Sequence, residues 1–330
     1  MGGIREAEIE SLKDFSNCVV EETSSPVVRY RLMRGVLGLP PGDPKCDSAY
    51  REVLESPLVA ELVGEQWSDG SWGRLHSVDT RVKQKFGTTE VGVARAAALG
   101  LRADHPVMTK AADRLAEVIK TGNVRDWAEK NPLWPTGVRL FAASTLALID
   151  AHHPAIDPVY DHWVQIAQET FNSGRYDSQA EDNVHLKLSG APVKGSYLVV
   201  HNKYAYCLLS SRPDRLGRPL AERLLRHACS FPGGIKYLEV TAHVPPVDKS
   251  GQLECWFRSH ELLSRFPGWG RVCGAAVEWL LEKQNPEGWW DLGPRSRMSV
   301  ILPLTENWRK KNTRRTDWTT RVLLLLARAF

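Results

Sequence analysis

Two kinds of amphipathic segment alternate along this chain, and that alternation restricts the fold more than any single motif does. In the first kind, apolar residues recur every three or four positions on one side only. Residues 48–64 carry Val53, Leu54, Leu58, Leu62 and Val63, and residues 105–122 carry Val107, Ala111, Leu115, Val118 and Ile119. This is the pattern of a helix with one solvated face. For the second of these, Asp104 is the expected N-cap, Pro106 a first-turn proline and Gly122 the terminator. Asp157 and Pro158 open a third such helix, running to about residue 171, and segments 220–230 and 270–283 complete the set. The second kind is apolar around most of its circumference. Segments 88–101, 134–149 and 317–330 belong to it, and 26–38, 196–211 and 252–266 are more polar members. Such helices need neighbours on more than one side.

The order is regular. Buried-type helices begin near 26, 88, 134, 196, 252 and 316, a polar-faced helix follows each of the first five, and the spacing is roughly 46 to 64 residues. Residues 6–15 supply a sixth outer helix, closing the ring beside the last inner one. No run of alternating β-branched residues argues for a sheet. Six hairpins of this kind predict an all-α chain, an (α/α)6 toroid in one domain spanning 1–330; an open helical solenoid is the competing architecture.

Composition removes several functions. The 43 basic and 39 acidic residues leave a formal charge of +4, too small an excess to imply nucleic-acid binding. The longest aliphatic run, near 322–327, is far short of a membrane span, and the N-terminal residues lack the apolar core of a secretory signal, so a soluble, cytoplasmic protein is expected. Cysteines 18, 46, 207, 229, 255 and 273 are scattered with no CxxC and are expected to be reduced. Walker, GxGxxG, HExxH and GxSxG motifs are absent.

Tryptophan usage is high, at 12 residues, and two of them close a repeated turn. Gln66, Asp69, Gly70 and Trp72 recur in spacing as Gln284, Glu287, Gly288 and Trp290, each set following an outer helix and preceding an inner one. Glycine permits the turn, tryptophan packs over the outer helix end, and glutamine bonds freed backbone groups there. The role read from these residues is structural. These turns resemble the QW repeats of squalene and oxidosqualene cyclases, which protein prenyltransferase β subunits share in weaker form. The resemblance covers residues 66–100 and 284–330 best and implies a toroid whose inner helix ends surround a central cavity. The family's catalytic motifs do not carry over. No DxDD precedes an inner helix; the corresponding stretches end in Glu90 and Asp317. The prenyltransferase zinc set is missing although Tyr204 and Cys207 are similar to one piece of it, and there is no DDxxD.

Polar residues on the inner helices are therefore the candidates. Isolated ions in a packed helix layer must pair or face water, so they form either an internal ion-pair network or a polar cavity. Asp317 or Glu90 is expected as general acid, Glu254 or His201 as base. Basic groups are in excess, and Arg29, Arg34, Arg139, Lys203, Tyr204, Arg258, Trp318 and Arg321 are expected to bind an anionic small molecule. No cofactor and no metal is called for, although stretch 150–162 gathers Asp150, His152, His153, Asp157, Asp161 and His162. The basic stretch 309–315 reads as a solvated loop or as a flap over an anion. The expectation is an enzyme carrying out acid–base cyclisation, isomerisation or elimination on a small anionic molecule, with an isoprenoid suggested by the resemblance alone. The alternatives are a non-catalytic lipid-, prenyl- or protein-binding toroid and a polysaccharide lyase or hydrolase.

Overall fold

The computed structural model describes residues 2–243, 245, 252–293 and 301–330, with side chains from residue 7 onward. Among the described residues the chain is helical, with two isolated bridges and no strand. Helix α1 (Gly2–Glu22) leads into α2 (Pro26–Gly35), α3 (Pro44–Leu54) and α4 (Pro57–Gly64). Each of the last three starts on a proline whose missing N–H costs nothing there, behind a side-chain cap from Ser25, Asp43 or Ser56. The Ser56–Pro57 pair divides what the periodicity alone reads as one helix over 48–64. Next come α5 (Thr89–Leu99), α6 (Pro106–Thr121) and α7 (Trp134–Leu146). Gly122 ends α6 in the left-handed region at φ 71°, as expected, but the cap at its start is His105, not Asp104.

Helix α8 (Asp157–Thr170) follows a 3-10 turn, Pro154–Ile156. Asp157 is thus inside the first turn rather than a cap, and it pairs with Arg212 and Arg215. Helix α9 (Ser178–Ser189) has no counterpart in the sequence reading, because it buries only Glu181, Val184 and His185 and so shows no apolar stripe. The remainder is α10 (Lys203–Ser210), α11 (Pro213–Leu216), α12 (Arg218–Ser230), α13 (Gln252–Leu263), α14 (Trp269–Val272), α15 (Gly274–Glu282) and α16 (Lys311–Leu326). Helix α16 reaches back to Lys311, which puts Asp317 in its second turn and not at its start. Cys229 of α12 and Cys273 after α14 are joined as a disulfide, which corrects the expectation that all six cysteines are reduced.

The buried-type helices touch in sequence order. Helix α5 packs on α7, α7 on α10, and α10 on α13. Arg321 of α16 bonds Glu254 and Glu261 of α13, and α16 packs in turn on α2. The Arg31 guanidinium of α2 donates to Ala97 O of α5 at 2.9 Å, and the Tyr30 ring fills the space beside Gly100. Helix α3 also lies on α2, and α6 on α7. Helix α1 packs on α2 and α16, with Phe15 edge-on to Trp289 and Trp290. In the last ten residues of α16 every side chain but Leu324 is buried, as its apolar circumference requires.

The two repeated turns are built alike. Trp72 is fully buried, its indole N–H donating to Leu62 O at 3.0 Å and its backbone N–H to Thr89 Oγ1 at 3.2 Å. Trp290 repeats this with Leu280 O at 2.6 Å and Thr319 Oγ1 at 3.0 Å. Each indole therefore satisfies a carbonyl near the end of the preceding helix (α4 or α15), while a threonine on the following buried-type helix (α5 or α16) fixes its backbone. Gln66 Nε2 donates to Gly70 O at 3.1 Å, and Gln284 Nε2 to Gly288 O at 2.9 Å. Gly70 is obligatory for two reasons: its φ is 84°, and a Cβ there would lie 2.2 Å from Lys110 O.

We expect Gly70→Ala to destabilise the chain by several kcal/mol in urea unfolding, well beyond Gly38→Ala. Gly38 has a similar φ of 69° but nothing within 4 Å of the added carbon. Equal losses in the two variants would show that close approach to the Lys110 backbone contributes nothing.

Candidate functional site

Two helix starts supply the first groups of the site. Thr88 caps α5 by accepting from Val91 N at 3.3 Å, and Asn202 caps α10 by accepting from the Tyr204 and Ala205 N–H groups at 2.8 and 2.9 Å. The caps fix where each helix begins, so Glu90 and Tyr204 both occupy a second helical position. They meet: the Tyr204 hydroxyl donates to Glu90 Oε2 at 2.7 Å. His76, from the loop after Trp72, adds the third member. Its Nδ1 is 3.0 Å from Glu90 Oε1 and 3.0 Å from the Tyr204 hydroxyl.

The surroundings lock this triad. The His76 ring lies on Phe141 with centroids 4.3 Å apart and planes 17° apart, and Tyr237 stands edge-on to it at 5.8 Å. The loop carrying His76 is held by one carboxylate. Asp126 accepts from the N–H groups of Leu75, His76 and Ser77 at 2.8, 3.0 and 2.6 Å, and from the Ser77 hydroxyl at 2.8 Å. Thr89 N–H donates to Arg74 O at 2.8 Å, tying that loop to the start of α5. A matching bridge ties α10 to the loop carrying Tyr237, with Lys203 N–H donating to Lys236 O at 3.1 Å. Tyr237 itself has φ 75°, a conformation that costs a bulky residue energy and persists only where the surroundings impose it.

Charge is uneven here. Burial works to lower the His76 pKa, but the hydrogen bond and charge of Glu90, with the charge of Asp126 behind it, outweigh that and raise it above the ordinary histidine value. Its Nε2 has no partner among the described residues and is not buried, which makes it the free face of the triad. Burial raises the Tyr204 hydroxyl pKa, and the Glu90 charge adds to the rise, so Tyr204 stays a donor. Lys203 holds its ammonium 4.4 Å from the Tyr204 ring centroid, its pKa lowered by burial and by Arg258, with Glu90 opposing. Neither the Lys203 nor the Arg258 side chain has a hydrogen bond or ion pair among the described residues. Two cations with no direct side-chain partner thus lie beside a proton-carrying triad.

Of the residues expected from the sequence, the structure brings together Glu90, Lys203, Tyr204 and Arg258. The others lie elsewhere. Arg29 pairs with exposed Glu52, and Arg34 bonds Leu39 O. Arg139 bonds Pro135 O at 3.3 Å on the face of α7 away from Phe141. His201 sits in an aromatic cluster with Tyr176, His227 and Phe231, its pKa pushed down to about 4 by burial and then by His227. Glu254 is engaged by Arg321 at 2.6 and 3.3 Å, and Glu261 takes a further bond of 3.0 Å from the same guanidinium. Trp318 is buried with its ring 5.2 Å from that of Phe257. Asp317 accepts from Leu304 N–H at 3.0 Å and from Thr305 Oγ1 at 2.8 Å. Nearby Arg95 donates to the carbonyls of Ile301 and Pro303 at 2.8 and 2.5 Å, so the two residues clamp one segment. The stretch 150–162 spends its carboxylates on Arg212, Arg215 and turn N–H groups, and among the described residues no cluster is arranged to hold a metal ion. All but the first two residues of the basic stretch 309–315 belong to α16, with Arg314 bonded to Asp291 at 2.8 and 2.9 Å and Arg315 over the Trp289 ring.

His76, Phe141, Tyr237 and Asp126 escaped the sequence reading. The one available signal was position: His76 is four residues past Trp72, the tryptophan that closes the first repeated turn.

Burial pushes the Asp317 pKa up to about 7, against its hydrogen bonds from Thr305 and Leu304 and the charge of Arg95. An acid raised in the folded state binds a proton there that the unfolded chain has already lost. Its contribution to stability therefore falls as pH rises from about 4 to about 7 and is level above that. We expect Asp317→Asn, which cannot ionise, to gain stability relative to the parent over that window, by on the order of a few kcal/mol. Urea unfolding of both proteins at pH 5 and pH 7.5 measures this; a pH-independent difference would show that the carboxyl titrates normally.

Comparison of the chain with known protein families, with characterised proteins and with solved structures returned no match.

Proposed function

We propose that this chain is an (α/α)6 toroid of the terpenoid-cyclase-like kind that acts as an acid–base enzyme on a small anionic molecule. The observation that carries the reading is the His76–Glu90–Tyr204 triad set beside Lys203 and Arg258, two cations whose side chains make no hydrogen bond or ion pair among the described residues. Neighbour contacts running from α2 through α5, α7, α10 and α13 to α16 and back to α2 support the closed ring, and the paired QW turns support the kinship.

In this reading the substrate anion lies between Lys203 and Arg258, where the N-terminal ends of α5 and α10 add favourable potential. His76 presents Nε2 to the reacting atom. Glu90 holds the imidazole through Nδ1 and stabilises its charged form, and Tyr204 fixes Glu90 from the other oxygen. Such a group, its pKa raised above the ordinary histidine value, moves a proton to or from a carbon next to a carboxyl or carbonyl, or onto a leaving oxygen. Isomerisation and elimination suit it. Direct protonation of an isolated alkene, which starts a cyclisation, requires a much stronger acid. The walls of Phe141, Tyr197, Tyr204 and Tyr237 suit an unsaturated or ring-shaped body.

Two families of probe separate the possibilities: isoprenoid diphosphates and uronic-acid oligosaccharides. We expect one of them to raise the melting temperature of the parent, and Lys203→Ala with Arg258→Ala to abolish that rise, since binding to the folded state alone stabilises it. With the stabilising probe as substrate, His76→Asn is expected to lower kcat by roughly 10²–10⁴-fold. If His76 is the proton donor, the rate of the parent falls as pH rises through its elevated pKa. Binding that survives in the double alanine variant would overturn the anion site; binding without turnover in the parent would leave a non-catalytic binding protein.

A further inference from the structure

A cleft of about 770 Å³ opens between α6, the first half of α7 and α8, on the side of α7 turned away from His76. That volume falls in the range of small-molecule sites, roughly 300–1,000 Å³. Its walls are apolar: Ala116 and Ile119 from α6, Ala155 from the 3-10 turn, and Val159 and Trp163 from α8. The 3-10 turn packs on both α6 and α8, so the cleft is a built feature of the helix arrangement and not a gap between loose ends.

The polar groups at the cleft are cationic or neutral once their bonds are counted. Glu117 is paired with Arg114 at 2.8 Å. His162 bonds Ser189 through Nε2 at 3.2 Å, and burial lowers its pKa, so it adds no charge at neutral pH. That leaves Lys120, in the last turn of α6, and Arg139. Arg139 has one hydrogen bond, to Pro135 O in its own helix, and neither cation has a carboxylate partner among the described residues. The buried Trp163 indole N–H is also without a partner.

We propose that this cleft binds a long-chain carboxylate, its hydrocarbon chain along Ala116, Ile119, Val159 and Trp163 and its carboxylate held by Arg139 and Lys120. The site is independent of the triad. An apolar trough with two free cations at its edge selects against neutral and cationic amphiphiles, because only an anionic head satisfies both halves of the lining.

Titration calorimetry of the whole chain with dodecanoate, below its micelle concentration and at neutral pH, tests this. One-to-one binding is expected, with dodecyltrimethylammonium not bound. The Lys120→Ala, Arg139→Ala double variant, altered only at partly exposed positions, is expected to bind at least ten-fold more weakly. Ala116→Trp, which fills the trough, is expected to lose binding while keeping its circular dichroism. Lys203→Ala is expected to bind dodecanoate as the parent does. Absence of binding in the parent, equal binding of the ammonium amphiphile, or undiminished binding in the double variant would overturn the proposal. So would loss of binding in Lys203→Ala, which would move the ligand to the triad.

Discussion

An indole N–H bonded to a carbonyl in the last turn of the preceding helix is the interaction on which the rest of the architecture leans. A helix end leaves carbonyls unsatisfied, and burying one costs about 1–3 kcal/mol unless a donor reaches it. Trp72 and Trp290 reach it from the following turn, and each is then held by a threonine on the next inner helix. One side chain thus fixes the distance between one helix and the buried-type helix after it. In the first copy the consequence runs on to the chemistry. Once Trp72 is seated on Thr89, Arg74 and Leu75 accept from the Thr89 and Glu90 N–H groups, and the next residue, His76, arrives over Glu90. The structural motif and the candidate site are therefore one construction.

Much of the fold was legible because burial leaves a periodic trace. The helix classes at 88–101, 134–149 and 317–330, the Pro106 start and the Gly122 stop all follow from side-chain spacing and backbone freedom. The failures have physical causes. Helix α9 escaped because a helix that buries Glu181 and His185 has no hydrophobic stripe to read. Helix α16 begins earlier than its apolar run because its first turns are basic, which helical geometry tolerates and hydrophobicity does not report.

The site was half legible for a related reason. Glu90, Lys203, Tyr204 and Arg258 lie on helices, where a sequence can be searched by position. His76 and Tyr237 lie in loops, and Asp126, in a third loop, works through backbone N–H groups and the Ser77 hydroxyl. Nothing in one-dimensional spacing connects residues 76, 126 and 237. Arg29 and Arg139 failed on phase: a helix shared between two layers carries polar residues toward both, and composition does not say which side each one takes.

How the charges are distributed separates scaffold from site. Arg321 is buried, and two glutamates bond it, so its desolvation is offset and it joins α13 to α16 without offering anything to a ligand. Asp317 and Arg95 are buried close together and spend their hydrogen bonds on one backbone segment. Lys203 and Arg258 are placed differently: burial is partial, neither side chain has a hydrogen bond or ion pair among the described residues, and Glu90, whose charge acts on Lys203, has both oxygens taken by His76 and Tyr204. An arriving anion is the group that would relieve the cost of holding these two cations there.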